Sequence, residues 1–404
     1  MSVKRCGQLS RTVDAARFAR TIGFGALMVA AVVGEFSPVP AGKAALRAAE
    51  IDAAWEANVA PNWRQRKGQA KVEAIASHGG SEASEAAVAK ALEWLAEHQF
   101  AGSWDFRHGD GPCQNRCDQI GTIPRAKNAA TALALLCFFG AGQTPTEGRH
   151  HETVARGLEY LLKSGQDRNE GLSYMDGGTM YSHGLATIAL CEAYAMTGDL
   201  EVKRTAQRAI DFTVYAQDPV GGGWRYMPRT PGDTSVLGWQ MQSLRAARLA
   251  GLSVPPETRK NAGRFLSSVG NPQDTEFGYT APGAGAATSA IGLAARYELG
   301  RLPNEESLAR GVSRLTGDDA FKSNNLYMHY HLQELARNVG GERWTAMNSK
   351  LRDRLIEMQA REGHATGSFS LGAEPHAVSG GRLYATTFAT LILEVYYRYP
   401  VEGK

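Results

Sequence analysis

The sequence predicts an all-α protein, an α/α toroid of six helical pairs over residues 83–400, and three observations carry that prediction. Amphipathic helical stretches alternate with far more apolar ones along the chain, glycines follow the apolar stretches, and Gly-aromatic turns join the two members of a pair. Six pairs with inner members apolar all round suit two concentric rings better than an open solenoid, whose inner face would stay wet.

The amphipathic members are "EAAVAKALEWLAEHQ", "ETVARGLEYLLKSGQ", "RTAQRAIDFTVYAQ", "ETRKNAGRFLSSVG", "ESLARGVSRLTG" and "NSKLRDRLIEMQA", each with apolar residues three or four apart. They form the outer ring. The apolar members are "NAATALALLCFFG", "YSHGLATIALCEAYAMTG", "DTSVLGWQMQSLRAARLAG", "ATSAIGLAARYELG", "LYMHYHLQELARNVGG" and "YATTFATLILEVYYR". With few charges on any face, they must be surrounded by protein. Gly140, Gly198, Gly251, Gly300 and Gly340 stand where a left-handed residue ends each apolar helix. Trp104, Tyr174, Trp224, Tyr279 and Phe369 mark the Gly-aromatic turns, and Trp104, Tyr174, Trp224 and Phe369 read as packing wedges between the rings rather than as substrate platforms; repeat five lacks such a turn.

Two segments precede the toroid. Residues 1–41 place five basic side chains before the apolar run "IGFGALMVAAVVG", Ile22 to Gly34, followed by small residues. This is the pattern of a secretory signal peptide, or of a membrane anchor if it is retained, and predicts an exported protein with possible membrane association. Residues 42–82 read as a partly helical linker ending in the hinge "SHGGSEAS". The net charge of +3 resides in the first segment, so the body is close to neutral and no field draws nucleic acid. A monomer is expected.

Cys137 and Cys191 lie in apolar helices and read as core. Cys113 and Cys117 share the polar loop "HGDGPCQNRCDQ", which suggests a local disulfide in an oxidising compartment. A metal site from His108, Asp110 and both sulfurs is a weaker reading, because one CxxxC lacks a second pair. There is no phosphate loop, dinucleotide fingerprint, nucleophile elbow or HExxH, so neither a cofactor nor a metal is expected.

The chemistry-bearing residues gather at the amino ends of the inner helices, which converge on one end of the ring. A funnel of aromatic walls with a few polar groups follows, the usual character of a small-molecule site. Asp233, in "PGDTSVLGWQ", could ligate a metal, donate a proton or cap its helix; His183 could carry a proton or sit hydrogen-bonded in the core. If the protein is an enzyme, these two are the catalytic acid and base. Tyr181, Asp176, Trp239, Tyr327, His331, Tyr384 and Asn128 are the expected ligand-binding set. Because His329 and His331 are two apart on a helix, they face roughly opposite sides.

The Gln-to-Gly-aromatic turns, such as "AIDFTVYAQDPVGGGW", and the inner-helix phrases "MYSHGLATIALCEAYAMTGD", "GDTSVLGWQ" and "GGRLYATTFATLILEVYYR" resemble the prenyltransferase and squalene-hopene cyclase repeat superfamily, over about residues 83–400. The resemblance implies an apolar, isoprenoid-like ligand in the central pocket. It departs from the family at the chemistry. Of the cyclases' DxDD motif "TPGDTS" keeps only the last acid, Asp233, with Gly232 in the proton donor's place. Where the prenyltransferases place zinc-binding Cys and His, this chain has Ser235 and Ala385. Two alternatives stand beside an isoprenoid binder or enzyme. One is an exported polysaccharide lyase, hydrolase or carbohydrate-binding protein using Arg225, Arg229, Asp176 and His183; the other is a non-catalytic scaffold.

Overall fold

The computed structural model describes residues 55–302, 305–317, 325–370 and 375–399. The chain divides into two units, residues 1–47 and residues 48–404, and all the described residues belong to the second. The expected signal or anchor segment therefore lies outside the described residues, as does the turn of repeat five. No described helix is long and apolar enough to cross a membrane.

Six inner helices form a closed ring: α3 (Lys127–Gly140), α5 (Thr179–Thr197), α7 (Thr234–Leu249), α9 (Ala286–Glu298), α11 (Leu326–Val339) and α13 (Pro375–Leu393). Each packs on the next and α13 returns to α3. The outer members are α2 (Glu82–Glu97), α4 (His151–Ser164), α6 (Leu200–Ala216), α8 (Pro256–Val269), α10 (Glu306–Leu315) and α12 (Gly341–Met358). α2 packs against both α12 and α13, so the outer ring also joins its first member to its last. In α3 every residue after Lys127 is buried, whereas α4 buries Thr153, Val154, Gly157, Leu158 and Leu161, one stripe at helical spacing. That contrast is the physical cause of the two rings. A short hairpin, β1 (Gln166–Arg168) with β2 (Gly171–Ser173), is the one sheet among the described residues.

The recurring glutamine has a structural task. Gln217 Nε2 donates to the carbonyls of Gly222 in its own turn and Thr258 in the next outer helix, at 2.8 and 2.9 Å. Gln99 does the same for Gly102 and Thr153, and Gln359 for Gly367 and Ala87. The last of these joins repeat six to repeat one.

The wedges are as expected in four turns. Trp104, Tyr174, Trp224 and Phe369 are buried, and the Trp104 and Trp224 indoles donate to the carbonyls of Leu95 and Thr213 on the outer helices. In the fourth turn the wedge is Phe277, fully buried, while Tyr279 is exposed. A Cβ on Gly292 would meet the Phe277 ring at 2.2 Å, so Phe277 seats where the inner helix lacks a side chain.

Gly340 has φ 71° with ψ −153°, outside the left-handed helical region, whereas Gly198, Gly251 and Gly300 are left-handed helix ends, as the pattern requires. Gly140 is not: it is the last residue of its helix, and a Cβ there would meet Glu394 Oε2 at 1.8 Å. Its smallness makes room for a buried charge cluster at the carboxyl end of the ring. Arg66 Nη1 and Arg398 Nη2 each lie 2.7 Å from a Glu192 carboxylate oxygen, and Arg398 Nη1 is 3.5 Å from Glu394. Arg66 arrives on a 3-10 helix, Ala60–Arg66, followed by α1 (Gly68–His78), which packs on the short α14 (Val395–Arg398). The segment read as a linker is thus, from Trp55 onward, part of the compact unit, with Val59 and Trp63 buried. Its hinge is a tight junction: Gly79 ends α1 left-handed and Ser81 with Ser84 forms a capping box on α2.

Candidate functional site

All six inner helices follow a turn from the outer ring, so their amino ends share one end of the toroid. Asp233 is the residue before α7. Its Oδ1 accepts from the Val236 amide at 2.8 Å, the bond of an N-cap, and the carboxylate is wholly inaccessible. The other oxygen, Oδ2, is buried without a hydrogen-bond partner, 3.7 Å from Arg225 Nε. Burial pushes this carboxyl above the ordinary aspartate range, opposed by the Val236 amide, Tyr279 and Arg225.

Around this acid stands a group of hydroxyls and rings. The Tyr181 hydroxyl donates to Ser235 Oγ at 2.9 Å, and Ser235 Oγ and the Tyr327 hydroxyl are also 2.9 Å apart. The Tyr226 and Tyr279 hydroxyls pair at 2.6 Å, both rings are exposed, and the Arg225 guanidinium lies over them, 5.5 and 5.9 Å from their centroids. Tyr181, Ser235, Tyr327 and Tyr384 are half-buried. The result is a tyrosine-rich mouth.

Below the mouth the axis is filled. Trp239 stacks on Tyr330 with centroids 5.4 Å apart, and Phe388, Tyr327 and His331 pack edge-on or tilted against that pair. Trp239, Tyr330, His331 and Phe388 are buried. His331 Nδ1 accepts from the Gln242 amide at 3.0 Å, and burial holds its pKa down at about 3. The expected funnel is therefore a shallow basin over an aromatic plug. Of the expected binding set, Tyr181 and Tyr327 belong to the mouth, Tyr384 packs on Phe388 with centroids 4.5 Å apart, and Trp239 and His331 belong to the plug.

Three expected residues have other work. His183 is fully buried and faces the outer ring: its Nδ1 accepts from the Tyr174 amide at 3.3 Å and its Nε2 lies 2.9 Å from Thr213 Oγ1. Desolvation lowers its pKa to about 3. The amide of the turn aromatic is received in the same way by Thr131 at Trp104, Ser289 at Phe277 and Thr386 at Phe369. His183 thus occupies a repeated structural position, with its two ring nitrogens engaged by Tyr174 and Thr213. Asp176 Oδ2 accepts from the Asn128 amide at 2.9 Å and its Oδ1 from the Gly178 amide at 2.9 Å; Asn128 Nδ2 donates to Tyr174 O. Both join the first two repeats rather than line the basin.

A second cluster lies elsewhere, and the sequence reading found only half of it. Cys113 and Cys117 are free, not disulfide-bonded, and are buried. They face His98 and His364; the four ligand atoms all lie within 4.8 Å of one another. Neither His108 nor Asp110 joins them. The His108 ring is 5.6 Å edge-on from His98, and Asp110 is exposed beside Arg107. A histidine ending one helix and another 247 residues beyond Cys117 carry no common signal in sequence.

No family model matches this chain, and no curated protein matches it. Among solved structures it is similar to α-mannanases of glycoside hydrolase family 76. The Salegentibacter enzyme is 10% identical, with a TM-score of 0.54 over 78% of this chain and 99% of that one. The Bacteroides thetaiotaomicron enzyme is 12% identical, with a TM-score of 0.54 over 80% and 98%. A type II terpene cyclase from Scytonema is 14% identical, with a TM-score of 0.50 over 78% and 98%. These likenesses establish the class, an α/α toroid. At such identities they establish no activity.

Proposed function

We propose that the protein binds a saccharide-type ligand in the tyrosine basin, and that it does so outside the cytoplasm. One observation carries the reading: two groups of linked hydroxyls, Tyr181–Ser235–Tyr327 on half-buried residues and Tyr226–Tyr279 on exposed rings, stand at one mouth with one guanidinium over the exposed pair. Aromatic faces cover the C–H surface of a sugar ring while hydroxyls and Arg225 meet its oxygens. The filled axis supports a surface ligand over one threaded into the ring. Glycoside hydrolysis ordinarily takes two carboxyl groups flanking the bond, and the charged neighbour of Asp233 is Arg225, so binding is favoured over hydrolysis. The basic and apolar amino-terminal run supports export.

A second reading, an apolar isoprenoid-like ligand, is favoured by one feature: a buried carboxyl with raised pKa beside aromatic rings is suited to donate a proton to an alkene. Calorimetric titration of the whole protein with neutral oligosaccharides and, separately, with a polyisoprenoid alcohol in detergent distinguishes them. Saccharide binding weakened roughly tenfold by Tyr226→Ala, about 1.4 kcal/mol, is expected. Binding of the isoprenoid alone would move the assignment to the second reading, and binding of neither would leave a scaffold.

A further inference from the structure

We propose that His98, Cys113, Cys117 and His364 form a tetrahedral zinc site that locks the first repeat of the toroid to the last. Cys117 Sγ lies 3.5 Å from His98 Nε2 and 3.2 Å from His364 Nδ1, and Cys113 Sγ is 3.9 Å from His364 Nδ1. Ligands held at Zn–S and Zn–N bond lengths and tetrahedral angles stand about 3.3–3.8 Å apart. The four atoms therefore surround a metal-sized centre already, and the widest pair, within 4.8 Å, closes by about 1 Å on binding.

The surroundings orient the donors as a metal requires. His98 Nδ1 lies 2.7 Å from the Trp94 carbonyl, to which it donates; this leaves the Nε2 lone pair directed at the sulfurs. The ring is also held flat against Trp94, with centroids 3.9 Å apart. The Cys117 amide donates to Cys113 Sγ at 3.4 Å, a bond that favours a thiolate, and Arg116 is fixed over the same loop by the carbonyls of Cys113 and Pro112. Two thiolates and two neutral imidazoles balance the charge of one divalent ion, and binding releases the two thiol protons. Soft sulfur with imidazole selects zinc over the oxygen-seeking calcium and magnesium. Four protein donors fill the shell, so the ion's task is to hold, not to react.

Position in the fold supplies the purpose. His98 follows α2, the first outer helix; Cys113 and Cys117 lie in the loop before α3, the first inner helix; His364 lies between α12 and α13, the last pair. The metal ties segments 247 residues apart, at the seam where Arg382 pairs with Asp118 and Gln359 reaches Ala87. Cross-links closing long loops restrict the unfolded chain most.

The test is elemental analysis of the full chain purified without added chelator, with X-ray absorption at the zinc edge. One zinc per chain with two sulfur and two nitrogen neighbours is expected, and replacement by cobalt should give the visible spectrum of a tetrahedral thiolate site. His364→Ala, at the half-buried ligand, should lower zinc affinity by more than the roughly 10–100-fold that a lost outer-shell partner costs. His108→Ala should retain the ion. Chelation should lower the melting temperature of the native protein but not of His364→Ala. A metal-free protein with a Cys113–Cys117 disulfide, or zinc retained at full affinity in both His364→Ala and Cys117→Ser, would overturn the proposal.

Discussion

The side-chain amide of Gln359 stands 2.7 Å from the carbonyl oxygen of Ala87, a residue 272 positions earlier in the chain. The same amide donates to Gly367 at 2.8 Å. Gln359→Ala removes the side-chain donor shared by two buried carbonyls and should cost about 1–3 kcal/mol in urea unfolding. Hydrogen exchange should quicken in α2 and α13 while α6 and α7, remote from the seam, keep their protection. Uniform loosening would show that the bond closes nothing.

His183 should tolerate the residue its position carries in other repeats. In His183→Thr a hydroxyl replaces the ring acceptor for the Tyr174 amide, whereas His183→Leu abandons both Tyr174 and Thr213. Leucine should be the worse by about 1–3 kcal/mol, measured by chemical denaturation, because a buried amide is left unpaired. Equal stability of the two variants would remove the structural account.

The same residue gives a pH dependence. The folded pKa of His183 is lowered from 6.5 to about 3, and that of His331 likewise, so the unfolded chain binds more protons between those values. Their contribution is complete above pH 6.5 and is lost as pH falls towards 3. Between these limits each adds a slope of up to about 1.4 kcal/mol per pH unit. Urea midpoints from pH 7 to 4 should fall less steeply in His183→Thr than in the parent; identical slopes contradict the assignment.

Asp233 separates capping from charge. Asp233→Asn keeps an oxygen for the Val236 amide and removes a carboxylate whose ionised form burial disfavours, so stability at pH 7 should be unchanged or higher. The sign follows from the raised pKa: the folded state holds the proton more tightly, and stability declines as pH rises past 3.8. Asp233→Ala should lose about 0.5–2 kcal/mol, the worth of a cap. Thermal unfolding of both variants at pH 7 is the check.

Glu192→Gln leaves Arg66 and Arg398 buried without their shared countercharge. Removing one partner of such a cluster costs about 3–5 kcal/mol. Limited proteolysis should then cut within residues 60–80, which that glutamate helps hold against the ring. A variant as resistant as the parent would mean that Trp63 and Val59 suffice.

The fold was legible because its cause is periodic. Outer helices show a stripe and inner helices do not, and the glycine ends repeat with them. The misreadings arose where contact, not pattern, decides. The place of His183 in the repeat was hidden because its equivalence to Thr131, Ser289 and Thr386 rests on a shared hydrogen bond, not a shared residue type. In the fourth turn Phe277 and Tyr279 are both aromatic beside one glycine, and only burial marks Phe277 as the wedge. The tyrosine basin was half visible, since Tyr181 and Tyr327 open inner helices and Tyr384 follows the break at Gly381 in α13, while Tyr226 sits in a loop without periodicity. The histidines facing Cys113 and Cys117 were invisible because the ring's closure alone brings His364 to His98.

Where the chain joins the ring and where it leaves it, a side chain of one end holds the backbone of the other: Arg66 Nη2 donates to the Arg398 carbonyl at 2.7 Å. A closed circuit whose ends meet has no privileged starting point. A circular permutant of residues 60–399, with these ends spliced and new termini opened in an exposed turn such as that near Val220, should refold into the same molecule.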